Sequence, residues 1–122
     1  MNCIYCGKSI DEHDMGRETD ICVGRALGTS YEPTSYDEYP TPFTDRMAWA
    51  GACVSHLAAD DNPVEHVTIG WDRSDSKWYI GFEGWYPLES DKPSGYYSVT
   101  ADTLPLALCR AVLTLEAAEA ER

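Results

Sequence analysis

The sequence predicts a small α+β domain, ordered helix, helix, strand, strand, strand, helix, with a zinc knuckle at its N-terminus. Three observations carry this reading. Apolar residues recur at helical spacing in 44–59 and 104–115, while 67–71 and 78–82 alternate with the period of two of a half-buried strand. Cys3 and Cys6 enclose two residues and are followed by Gly7 and Lys8, the turn by which small proteins grip zinc.

A chain of 122 residues fits one compact domain, with residues 1–22 as a knuckle-like segment merging into a unit that spans 15–122. Hydrophobic residues make up 43%, with four Trp and eight Tyr, which supplies enough apolar surface for a packed core. Asp and Glu number 21 against nine Lys and Arg, a formal charge of −12 that opposes contact with nucleic-acid phosphate. Such a surface suits a basic protein partner, or is simply a solvated acidic exterior.

Zinc takes about four thiolate or imidazole donors in a tetrahedron, and Cys3 and Cys6 provide two from one side. His13 and Cys22 are the candidates for the second pair, with Asp11 and Asp14 as weaker oxygen donors. Two exposed thiols without a metal are the alternative. A redox dithiol is disfavoured, because that motif sits where a strand passes into a helix and no such unit precedes Cys3.

The first helix covers 17–27, with Asp14 or Gly16 at its start and Gly28 at its end. Residues 29–43 contain three prolines and three tyrosines and read as an extended loop, long enough to suggest a function. Thr44 and Asp45 open a second helix reaching Ala59. Val67, Ile69 and Trp71 share one strand face and Trp78, Ile80 and Phe82 another, joined by the turn-rich 72–76, which predicts a hairpin with Trp71 and Trp78 toward the core. Residues 84–95 are loop, and 96–101 form a third strand with Tyr97 and Val99 on one face. The last helix begins at Asp102 or Thr103, has Pro105 in its first turn and carries Leu104, Leu108, Ala111, Val112 and Leu115 as an apolar stripe. Its polar end, 116–122, is expected to fray. Cys53 and Cys109 lie among alanines and leucines and read as core residues.

The runs Met15-Gly16-Arg17-Glu18-Thr19-Asp20, Phe43-Thr44-Asp45 before Ala48-Trp49-Ala50, and Asp102-Thr103-Leu104-Pro105-Leu106-Ala107-Leu108-Cys109-Arg110-Ala111 resemble the phage ABA-sandwich domain family. That resemblance, over roughly residues 15–115, implies an α-β-α arrangement of helices and a small sheet, a bacteriophage origin and a host bacterial cytoplasm. It implies no catalytic residues, and the knuckle lies outside it.

The 29–43 loop combines acids with aromatics and has no Lys or Arg, so Tyr31, Tyr36, Asp37, Glu38, Tyr39 and Phe43 are candidate contact residues for a protein partner, with Trp85 beside them on a second loop. Tyrosines packed on the sheet with acids facing water are the structural alternative. His56 and His66 lack any accompanying nucleophile motif, and no standard catalytic signature is present. No stretch approaches the roughly 18 apolar residues of a membrane span. A polar start and five cysteines, an odd number, fit a reducing cytoplasm. The expected function is therefore non-enzymatic: a phage accessory protein that binds and inhibits a host protein, of anti-CRISPR or anti-restriction type. A module sequestering a nucleotide signal is the alternative, and it requires Arg25, Arg73, Lys77 and Arg110 to converge.

Overall fold

The computed structural model describes residues 1–28, 41–59, 64–84 and 96–120. Within them, a 3-10 turn at Ile10–Glu12 leads to helix α1 (Arg17–Leu27) and helix α2 (Met47–Leu57). Strands β1 (Val64–Asp72), β2 (Lys77–Gly84) and β3 (Tyr96–Ala101) follow, and helix α3 (Leu104–Ala120) closes the order. The strands pair antiparallel as β1-β2-β3, the meander expected from the alternation.

Register places Val67, Ile69 and Trp71 opposite Phe82, Ile80 and Trp78, which in turn face Tyr97, Val99 and Ala101. One sheet face is thus apolar, stitched by an edge-on Trp71–Trp78 pair with centroids 5.4 Å apart and a stacked Phe82–Tyr97 pair at 5.6 Å. Helix α3 packs on β2 and β3, so Ile80, Phe82, Val99 and Ala101 are buried. Trp71 departs from expectation: it is 48% exposed and Ile69 44%, because α3 packs on β2 and β3 and leaves these side chains of β1 uncovered.

Helices α1 and α2 pack against α3 and against each other, giving a sheet, then α3, then the other two helices. From Leu106 to Ala118 every α3 residue except Arg110 and Glu116 is buried, as a helix enclosed on all sides must be. Its end does not fray at Glu116; Ala117 and Ala118 are buried and the helix runs to Ala120.

The second helix starts three residues later than its capping signal suggests, because Thr44 is engaged elsewhere. The Thr44 N–H donates to Asp20 Oδ1 at 2.8 Å, and Thr44 Oγ1 accepts from the Gly16 N–H at 3.0 Å. This clamp fixes the start of α1 to the approach into α2. Gly16 has φ 146, which glycine tolerates far better than other residues.

Burial raises the Asp20 pKa, opposed by its hydrogen bonds from Thr44. A carboxyl raised on folding stabilises most below its unfolded pKa, and that contribution is lost as pH rises through the folded value. Asp20→Asn keeps an acceptor without the charge, so it is expected to remove a downward slope of stability just above the ordinary carboxyl pKa of about 4. Asp20→Ala leaves the Thr44 N–H unsatisfied and is expected to cost about 1–3 kcal/mol. Urea unfolding across pH distinguishes the two.

Candidate metal centre

The N-terminal ten residues form a tight hairpin-like turn. Asn2 bridges Ser9, the Cys3 N–H donates to the Lys8 carbonyl at 2.8 Å, and the Gly7 N–H donates to the Cys3 carbonyl at 2.9 Å. Gly7 sits at φ 81, a left-handed conformation that admits glycine at least cost. The curl brings Cys3 and Cys6 to one side, and the Tyr5 N–H donates to Cys3 Sγ at 3.4 Å.

The 3-10 turn then delivers His13. Its Nδ1 lies 3.0 Å from the Ser9 carbonyl, an acceptor only, so Nδ1 carries the proton and Nε2 presents its lone pair. That lone pair faces Cys6 Sγ at 3.2 Å. Cys22 approaches from the second turn of α1. The donor atoms of Cys3, Cys6, His13 and Cys22 all lie within 4.8 Å of one another.

A tetrahedral shell with metal–sulfur bonds of about 2.3 Å has edges of about 3.8 Å, so small side-chain rotations bring all four donors onto one ion. These four side chains can hold a metal, as the spacing predicts. Asp11 and Asp14 are not part of the set. Cys3, His13 and Cys22 are buried while Cys6 is exposed, bordering a cleft of about 370 Å³ shared with Lys8, Glu12, Arg17 and Glu18.

Burial pushes the Cys22 thiol up to about 12, reinforced by the charge of Cys3 and by hydrogen bonds with Cys6 and Cys3. The Cys22 thiol therefore resists ionisation unless a cation supplies the opposite charge.

Supporting contacts tie the centre to the rest of the fold. The Arg110 guanidinium, its side chain 12% exposed, donates to the His13 carbonyl at 2.9 Å and the Thr100 carbonyl at 2.7 Å, and meets Asp14 at 3.4 Å. Tyr5 donates to Glu116 on α3 at 3.3 Å, and the other Glu116 oxygen is 2.9 Å from His56 Nε2 on α2. Burial, then the Glu116 charge, raises the Tyr5 pKa, which keeps its hydroxyl a donor. On the surface, Lys8 pairs with Glu18 at 2.8 Å. Arg110→Ala is expected to weaken metal binding roughly 10- to 100-fold through loss of ligand support. Competition with a calibrated chelator measures it.

Other sequence candidates fall elsewhere. Tyr31, Tyr36, Asp37, Glu38, Tyr39 and Trp85 lie outside the described residues. Phe43 is corrected: it is wholly buried, a core residue with no surface to offer a partner. His56 is tied to Glu116, and His66 stands exposed on the sheet. Cys53 and Cys109 are fully buried neighbours; mutual hydrogen bonding and burial raise the Cys109 thiol far above its ordinary range, consistent with core packing. Sequence reasoning missed Tyr5, the Ser9 carbonyl and the supporting role of Arg110, which it read only as a possible phosphate ligand. An arginine inside the apolar run Leu108-Cys109-Arg110-Ala111 was the available signal, since a cation there must find acceptors.

No described helix is long and apolar enough to cross a membrane. Comparison with protein-family models, with curated proteins and with solved structures finds no match, so the likeness to the phage family rests on the quoted residues alone.

Proposed function

We propose that this chain is a non-enzymatic binding protein built on a structural zinc centre. The observation that carries the reading is the convergence of three thiols and one imidazole, drawn from the knuckle, the 3-10 turn and α1. Sulfur and nitrogen donors in a tetrahedron suit zinc better than calcium or magnesium, which take oxygen. Catalytic zinc keeps one position open for water or substrate, whereas four protein donors fill the shell. The centre therefore fastens residues 1–22 to the helical core.

The binding half of the proposal rests on the charge of −12, which favours a basic protein surface and repels phosphate. Proteins that hold nucleic acid present such surfaces, and a host defence protein is the instance implied by the phage resemblance. The nucleotide alternative is weakened, because Arg110 is committed to backbone carbonyls and Lys77 to Asp102 at 2.7 Å.

Native mass spectrometry with thiol alkylation tests the zinc reading. The expected result is one zinc per chain, with the exposed Cys6 protected until a chelator is added. A metal-free chain whose Cys6 alkylates at once contradicts it.

A further inference from the structure

Helix α3 covers one face of the sheet, and no described helix packs on the other. On that open face, His66, Glu83 and Tyr96 are directly opposed across the three strands, so their side chains form one row. The next row, Thr68, Gly81 and Ser98, has no side chain at its centre. Tyr96 reaches into that gap, where any Cβ on Gly81 would collide with its hydroxyl end. A depression of about 320 Å³ results, bounded by His66, Thr68, Glu83 and Tyr96. A bulge between Val64 and His66 lies at its margin.

Two properties decide what this depression suits. Tyr96 is 61% exposed, an aromatic ring offered to solvent rather than to the core. Glu83 is exposed, and its carboxylate makes no hydrogen bond or ion pair among the described residues. The hairpin's two cations are at its opposite end, Lys77 on Asp102 and Arg73 in the turn, so neither neutralises Glu83. An unpaired carboxylate beside an open aromatic ring is the pairing that receives a guanidinium, which stacks on the ring and donates to the carboxylate. Negative charge over the whole chain brings such a group in.

We propose that the Tyr96–Glu83 depression binds an arginine side chain of the basic protein partner. This rests on the acidic-surface half of the functional reading and adds the residue class recognised and its location. Arginine is preferred to lysine because a planar guanidinium can stack and form paired hydrogen bonds together, which an ammonium cannot.

The test is an NMR titration of the zinc-loaded, isotope-labelled chain with a blocked peptide of alternating glycine and arginine, and with its lysine counterpart. Expected are amide shifts concentrated at 66–68, 81–83 and 96–98, and weaker binding of the lysine peptide. Glu83→Gln and Tyr96→Ala are each expected to reduce arginine-peptide affinity by roughly tenfold, the scale of one charge-assisted bond or cation–π contact. Both positions are exposed, and Tyr96→Leu serves if the alanine variant fails to fold. Binding that these variants leave unchanged, shifts spread over the acidic surface, or equal affinity for both peptides would overturn the site while leaving the basic-partner reading intact. No binding of either peptide would overturn both.

Discussion

Cys22→Ser is expected to disconnect the N-terminal segment from α1 and to lower the unfolding midpoint by roughly 10 °C, corresponding to about 3 kcal/mol in a chain of this length. The reason is topological. Cys3, Cys6 and His13 lie within the first thirteen residues, so without Cys22 a metal held by the other three no longer closes onto the helix. Structural zinc in isolated fingers contributes about 10–16 kcal/mol of apparent binding energy. Only a fraction is expected here, because the α3-centred core persists without it. Chelation of the wild type, admitted through the cleft beside Cys6, is expected to give the same midpoint as the variant. Cys53→Ser is the control: it perturbs the core yet leaves zinc stoichiometry at one. Thermal unfolding with and without chelator reads the comparison, and an unchanged midpoint in both would contradict a structural role.

Phe43→Ala is expected to cost about 3–5 kcal/mol, the range for emptying a fully buried aromatic site. Domain stabilities are about 5–15 kcal/mol, so a loss of this size removes a large share of the total. Phe43 lies in the same buried cluster as Cys22, Val23 and Leu57, immediately before the Thr44 clamp. A surface contact role, as its proline- and tyrosine-rich neighbourhood suggests, predicts the opposite pattern: an unchanged midpoint with weakened partner binding. Denaturant unfolding of Phe43→Ala separates the two, and a loss below about 1 kcal/mol would favour the surface role.

The contrast between Phe43 and the metal donors explains how far this sequence could be read. Ligand spacing is a local property, and a Cys-x-x-Cys-Gly turn folds the same way in many contexts, so Cys3 and Cys6 were legible and His13 and Cys22 followed by proximity. Alternation along 67–71 and 78–82 likewise predicted both strands and their shared face. It could not say that α3 would rest on β2 and β3 and leave β1 uncovered, and so Trp71 was misplaced. Thr44 carries the chemistry of a helix cap, but its hydroxyl and N–H are used by Gly16 and Asp20, partners 28 and 24 residues away. Alanines gave the α3 stripe little hydrophobic weight although their small size lets other helices approach closely, which is why full enclosure of that helix was not foreseen. Arg110 was counted among possible phosphate ligands because sequence reports its charge, and only the fold places the His13 and Thr100 carbonyls around it.

The zinc ion we propose joins the knuckle, the 3-10 turn and α1. X-ray absorption at the zinc edge of the purified chain tests it most directly. Expected is a four-coordinate shell of three sulfurs at about 2.3 Å and one imidazole nitrogen at about 2.0–2.1 Å. A shell dominated by oxygen donors, or fewer than two sulfurs per zinc, would contradict it.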